Sequence, residues 1–300
     1  MVAGTVAILG RPNVGKSTLL NQIVGQKLAI VSSKPQTTRN RILGVWNGPA
    51  GQIVFVDTPG LHSARNALGH FMVDEALAAV EGIEAALLVV TPPDSAHNVK
   101  VATEERRILD LLRQGKVPTV LAINKVDTVK DKPSLFPILT AWQEISQFSA
   151  LVPVSARRGS GVPGLISELT KLMPEGEPLF SPDMLTDRTE RFLAGELIRE
   201  QLFTSLKQEL PYATAVIVDN WEERADRKDV VIDASILVER DSQKVIVVGK
   251  GGTMIRDIGS RARAEVSEML GRPAHLRLHV KVAPEWTSST NTLANAGYQR

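Results

Sequence analysis

Short apolar runs punctuate the first 173 residues: TVAIL at 5–9, IVFVD at 53–57, AALLVV at 85–90, TVLAI at 119–123 and LVPVS at 151–155. Between most of them lie stretches of helical length, such as 99–114 and 161–173. Runs this short and this continuously apolar fit strands buried on both faces. Their alternation with helical stretches predicts a mostly parallel sheet covered by helices on each side. Residues 41–48 add a strand turned back onto 52–57 through NGPAG.

The pattern changes after MPEGEPLFSPDM at 173–184, which has the proline and glycine content of a linker. Ala194, Ile198, Leu202, Leu206 and Leu210 then recur every four residues, predicting a helix capped by Thr186 or Asp187 and stopped by Pro211. Strands follow near 213–220 and 229–239, then a helix near 252–270 ending at Gly271 and a strand at 274–283. That last strand puts His275, Arg277, His279 and Lys281 on one face, some 13 Å separating the two histidines by strand rise, too far for a shared metal. The chain thus divides into a first domain at 1–173, a linker at 174–186, a second domain at 187–283 and a polar tail at 284–300 expected to cap it or fray.

Composition narrows the class. A 300-residue chain with 43% hydrophobic and 23% charged residues has the make-up of a soluble two-domain protein. It has no cysteine, which excludes disulfides and thiolate metal sites and fits a reducing compartment. No run reaches the roughly 18 apolar residues of a membrane span. The net charge of +2 says little, but its distribution says more. Residues 244–281 carry eight bases against three acids, an anion-facing bias of +5, whereas 215–243 are acidic.

Two glycine loops carry the chemistry. GRPNVGKST at 10–18 fits GxxxxGK[ST] in full and sits between a strand and a helix. Backbone N–H groups of such a loop cradle phosphates, Lys16 reaches the β- and γ-phosphates, and Ser17 binds Mg²⁺. The nucleotide-facing residues are Gly10, Asn13, Val14, Gly15, Lys16, Ser17 and Thr18. Asp57 ends the next strand of this pattern and opens DTPG; it is placed to hold the Mg²⁺ shell, with the Gly60 N–H placed to sense the γ-phosphate. Asn124, Lys125 and Asp127 form NKVD at another strand end. There Asp127 accepts two N–H groups from a guanine edge, Lys125 lays its stem over the base, and Ser155-Ala156 offers a backbone N–H to guanine O6. Together these motifs resemble those of GTPases, many of which carry a water-orienting glutamine directly after DxxG; the residue here is Leu61, so the resemblance implies slow intrinsic hydrolysis.

The second loop, GKGG at 249–252, fails the phosphate-loop template, because its lysine is followed by glycine. It matches GxxG, the backbone clamp of KH RNA-binding modules. Gly249, Lys250, Gly251 and Gly252 meet the RNA backbone in that reading, with Val248, Ile255 and Arg256 beside them and Ile258 lining or supporting the groove. The preceding KVIVV at 244–248 is strand-like by propensity, but a KH module requires a short helix there.

GRPNVGKS, QTTR, DTPGLH and NKVD followed by GxxG make the whole chain resemble the Era-like GTPase family. The resemblance implies an α/β P-loop GTPase domain with a mostly parallel sheet, followed by a smaller α+β KH domain of type II. It implies GTP and GDP as ligands with Mg²⁺, and catalytic roles for Lys16, Gly60, Asn13 and a switch threonine. Thr38 is the preferred Mg²⁺ ligand, with Thr37 open. Asn13 either shapes the loop or helps to hold K⁺. The family also implies binding of the 3′ end of small-subunit ribosomal RNA, assistance in assembling the 30S subunit, a cytoplasmic monomer, and peripheral association with the inner membrane. Three other readings remain open: an RNA-binding protein with a structural nucleotide domain, a GTPase whose second domain binds a protein, and an ATPase.

Overall fold

The computed structural model describes all residues except 33, 61–65, 94–99, 290–292, 295–297 and 299–300. It forms two compact units. The first comprises Met1–Ala29, Thr38–Ser63 and Met72–Asp187; the second comprises Ile30–Thr37, Ala64–Phe71 and Arg188–Arg300. Two short segments that precede the linker in sequence therefore count with the second unit.

Elements run in the order β1 (Val2–Leu9), α1 (Lys16–Val24), β2 (Ile42–Gly48), β3 (Gly51–Asp57), α2 (Ala67–Ala78), β4 (Ala85–Val90), α3 (Thr103–Gln114), β5 (Thr119–Ile123), α4 (Leu135–Ile145), β6 (Ala150–Pro153) and α5 (Val162–Thr170). The six strands form one sheet in the order β2-β3-β1-β4-β5-β6. Only β2 is antiparallel, paired with β3 from Ile42 opposite Asp57 to Gly48 opposite Gly51, as the turn at 47–51 anticipates.

Alternate residues of each parallel strand enter opposite cores. Val6 and Ile8 join Leu20, Phe55 and Leu165 on the face covered by α1 and α5. Ala7 and Leu9 join Ile108, Leu121 and Trp142 on the face covered by α3 and α4. Both faces are thus buried, the reason these strands read as unbroken apolar runs. Parallel pairing aligns the carboxyl ends of β1, β3, β5 and β6 along one edge, so the polar segments that follow them converge there.

The second unit contains α6 (Glu190–Ser205), β7 (Ala215–Arg224), β8 (Asp229–Val238), α7 (Asp241–Val248), α8 (Thr253–Leu270) and β9 (Ala274–Val282). Its sheet runs β7-β8-β9, with β7/β8 antiparallel and β8/β9 parallel. Val230, Ile232, Ala234, Ile236 and Val238 turn one face of the sheet towards the cores built with α6 and α8. The tail is anchored by the fully buried Trp286, whose indole Nε1–H donates to the Ala213 carbonyl (3.0 Å) and whose ring stacks on Tyr298.

Helix α6 differs from its sequence expectation at both ends. Thr189, rather than Thr186 or Asp187, caps it by accepting the Phe192 N–H (3.2 Å). It stops at Ser205, well before Pro211, because Leu206 is extended; the Lys34 ammonium takes the carbonyls of Phe203 and Leu206 there. KVIVV is helical, as the KH pattern requires. The Gln243 amide oxygen accepts the N–H groups of Glu239 (2.8 Å) and Arg240 (3.2 Å), and Val247 is buried with Leu202, Ile236 and Ile258. A satisfied helix start and one buried valine outweigh local strand propensity.

Candidate nucleotide site and nucleic-acid interface

The loop between β1 and α1 is shaped by backbone that ordinary residues resist. Gly10 (φ 146°) and Gly15 (φ 98°) lie outside the usual L-residue regions, and Asn13 is left-handed at φ 64°. A Cβ on Gly15 would fall 2.3 Å from the Asn124 side-chain amide, so the approach of NKVD to the loop also demands glycine.

Lys16 and Asp57 are almost wholly buried at this edge. The Lys16 ammonium donates to the carbonyls of Gly10 (2.9 Å) and Arg11 (3.0 Å). Burial lowers its pKa to about 8, with the Asp57 charge opposing the fall. Burial likewise raises Asp57 to about 6, against the opposing effects of Lys16 and the Ser17 hydroxyl. Ser17 Oγ donates to Asp57 Oδ2 (2.6 Å) and shares a hydrogen bond with Thr38 Oγ1 (2.8 Å). Asp57 Oδ1 is buried and has no hydrogen-bond partner.

Two hydroxyls and a carboxylate with an orphaned buried oxygen suit a hard divalent cation, and Ser17, Thr38 and Asp57 are the residues that could hold Mg²⁺. The hydroxyl of the alternative threonine, Thr37 Oγ1, donates to the Lys34 carbonyl (2.8 Å). Gly60 packs against the loop so closely that a Cβ there would sit 2.8 Å from the Pro12 nitrogen. Leu61 lies outside the described residues.

The residues expected to face a base converge as well. Asp127 accepts from Ser155 Oγ (2.6 Å), which holds its carboxyl below the usual range. Lys125, left-handed at φ 63°, donates to the Asn13 carbonyl (2.5 Å). Strained non-glycine backbone at Asn13 and Lys125 is of the kind that collects at ligand sites. Asn124 proves to be a strut: its amide nitrogen donates to the Val14 carbonyl (2.8 Å) and its oxygen accepts the Ala156 N–H (2.9 Å). That second bond refines the sequence expectation, because guanine O6 would meet Ala156 as an additional acceptor. Thr58 ties DTPG to the strand before the loop by donating to the Ile8 carbonyl (2.8 Å), a role that the motif alone does not reveal.

The second loop has a different construction. Gly249 (φ 74°), Gly251 (φ 60°) and Gly252 (φ 75°) are all left-handed in sign, and a Cβ on Gly249 would approach Met254 Cβ to 2.7 Å. Lys250 and Arg256 are exposed, and Val248 and Ile255 are half-buried. Ile258 is fully buried, so it supports the surface and does not line it. Val245 (70% exposed) and Ile246 (55%) add an apolar strip on α7 that the strand-like look of KVIVV concealed.

The basic bias divides in two. On β9, Arg277 pairs with Asp233 (3.6 Å), Lys281 with Asp219 (3.6 Å) and His275 with Asp229 (3.0 Å). Arg272 pairs with Glu223 (2.9 Å). Among the described residues, Lys244, Lys250 and Arg263 enter no ion pair, and the stretch 241–270 around the GxxG loop carries five bases against four acids (Asp241, Asp257, Glu265 and Glu268), a small positive excess.

Metal binding needs Asp57 charged, and phosphate binding favours a charged Lys16. Asp57 takes up a proton below about pH 6, and Lys16 loses one above about pH 8. Mg²⁺-dependent nucleotide affinity is therefore expected to peak between these values and to fall on the acid side well before an exposed aspartate would protonate. Fluorescent-nucleotide titrations with Mg²⁺ from pH 5 to 9 measure this; a flat acid limb down to pH 5 would contradict the assignment of Asp57.

Comparison with known proteins agrees with this geometry. Residues 5–125 match the family described as 50S ribosome-binding GTPase, and residues 209–287 match the KH domain. The chain is 46% identical to GTPase Era of Geobacter metallireducens over 99% of its own length and 97% of the relative's. It is 45% identical to GTPase Era of Xanthomonas campestris over 99% and 97%. Among solved structures, Aquifex aeolicus Era bound to GDP and AlF4⁻ superposes with a TM-score of 0.95 at 35% identity, both chains fully covered. Era in complex with MgGDPNP and nucleotides 1506–1542 of 16S ribosomal RNA superposes with a TM-score of 0.94 at 36% identity, again with full coverage. With matches of this identity running through both parts, the chain belongs to the Era family of GTPases.

Proposed function

We propose that this protein is a GTP-hydrolysing switch that binds the 3′ end of small-subunit ribosomal RNA through its KH domain and assists assembly of the 30S subunit. The observation that carries the nucleotide half is the cluster of Ser17, Thr38 and Asp57, with its orphaned carboxylate oxygen, beside the buried ammonium of Lys16. Ser17, Thr38 and Asp57 hold Mg²⁺, which when bound neutralises charge on the β- and γ-phosphates. Lys16 and the N–H groups of residues 13–18 orient the phosphates, and Gly60 reads the γ-phosphate. Asp127 selects guanine, Lys125 covers the base, and Asn124 joins both halves of the pocket.

The RNA half rests on the left-handed glycines at 249, 251 and 252 and on the unpaired basic residues around them. Its support from outside the chain is the relative crystallised with 16S ribosomal RNA nucleotides. Functional parts are taken as 1–173, 174–186, 187–283 and 284–300. The protein works as a cytoplasmic monomer, and its membrane association is peripheral; no helix among the described residues is long and apolar enough to cross a membrane. Asn13 helps to hold K⁺, supplying charge to a site whose residue 61 cannot orient water.

Three measurements test these assignments. Asp127→Asn should move preference from guanosine to xanthosine triphosphate by at least about tenfold, since one lost charged hydrogen bond has that magnitude; ATP hydrolysed by the native protein as fast as GTP would refute guanine selection. Lys250→Glu should weaken RNA binding and flatten its salt dependence by about one contact, and unchanged affinity would favour a protein partner for this domain. Single-turnover hydrolysis should be faster in K⁺ than in Na⁺, whereas equal rates would remove the role of Asn13.

A further inference from the structure

Segment Ile30–Thr37 belongs to the second compact unit, while Thr38, the next residue, belongs to the first. Within the second unit the segment is held to α6 at points three residues apart. The Val31 N–H donates to Glu200 Oε1 (2.8 Å). The Lys34 ammonium donates to the carbonyls of Phe203 and Leu206, at the end of the helix where carbonyls lack intrahelical partners. The Thr37 carbonyl accepts from Arg199 Nη2 (2.6 Å).

Arg199 is a stiff support. It is 1% exposed, donates from Nε and Nη2 to the two carboxylate oxygens of Glu196 (2.7 and 2.5 Å), and lies 5.3 Å from the Phe203 ring centroid. Such a forked pair fixes the plane of the guanidinium as well as its position. The Thr37 carbonyl and the Thr38 N–H share one planar peptide. Holding that carbonyl therefore restricts where Thr38 can project its hydroxyl, which meets Ser17 at 2.8 Å.

We propose that Arg199, oriented by Glu196, is a positioning residue for Thr38 and so tunes the metal site from the core of the RNA-binding unit. The inference rests on the reading of Thr38 as a Mg²⁺ ligand. Its consequence is that a disturbance of α6 reaches the metal through one peptide plane. A switch threonine of this kind serves the metal in the triphosphate state and is released after hydrolysis, so the effect belongs to that state.

The test is Mn²⁺ binding, read by electron paramagnetic resonance, with the full chain loaded with either GDP or the imidodiphosphate analogue of GTP. Removing Arg199 alone would strand a buried carboxylate, so the variant is Glu196→Gln with Arg199→Met, which removes both charges. In the analogue complex, Mn²⁺ affinity should fall about tenfold, the scale of one charge-assisted hydrogen bond, and in the GDP complex it should stay within about twofold. Thr38→Ala should lower analogue-state affinity at least as much, and combining it with the pair should add little. If Thr38→Ala weakens Mn²⁺ binding but the pair does not, positioning by Arg199 is refuted while the ligand reading stands. No effect of Thr38→Ala refutes the ligand reading and this inference with it. Should the pair lose hydrogen-exchange protection along β8, Arg199→Lys, which keeps a charge beside Glu196, replaces it; native affinity in that variant overturns the proposal, and a partial fall confined to the analogue state supports it.

Discussion

The nucleotide end of this molecule depends on keeping two opposite charges buried where parallel strands end. Lys16 and Asp57 would each cost several kcal/mol to bury alone, of the order expected for desolvated ions. They are tolerated because loop carbonyls take the ammonium and hydroxyls meet the carboxylate. The compensation is partial, as the raised Asp57 and lowered Lys16 pKa values and the orphaned Asp57 oxygen record. A site left under-compensated in this way is completed by a cation and a polyanion. The sheet, the glycines at 10 and 15 and the Asn124 strut serve to hold that incomplete arrangement rigid.

The second loop uses the same backbone freedom with different electrostatics. No lysine is buried there. Lys250 stands exposed on a turn of left-handed glycines, and three acids of the sheet, Asp219, Asp229 and Asp233, are committed to β9. Pairing of Asp219, Asp229 and Asp233 with β9 sets the acidic stretch before the loop against part of the basic stretch after it. What remains around GxxG is a small positive excess of exposed bases, next to an apolar strip at Val245 and Ile246. A polyanion that also presents bases finds both kinds of contact there.

Helix α6 connects the levels of the structure. Its apolar side, through Leu197 and Leu202, fills the core of the second unit, its buried polar side holds residues 31 and 37, and the carbonyls at its C-terminal end take Lys34. Arg199 and Glu200 interrupt the apolar repeat that marks this helix in the sequence. They are polar residues at buried positions, and the segment they bind lies more than 150 residues earlier in the chain.

Much of this was legible without coordinates, because it is local. The unbroken apolar runs reported strands covered on two faces, and GRPNVGKST, DTPG, NKVD and GKGG are turn motifs recognisable from the order of neighbouring residues. Tertiary structure decided what depends on distant partners. Thr38 rather than Thr37 faces Ser17, α6 stops at Ser205 where Lys34 meets its last carbonyls, and KVIVV is helical because Val247 has a core to enter. The basic bias likewise split into a paired half and a free half once strand pairing brought acids beside β9. Sequence periodicity records which residues must be buried, but a hydrogen bond or ion pair between segments far apart in the chain leaves no period, and only the folded chain shows which partners meet.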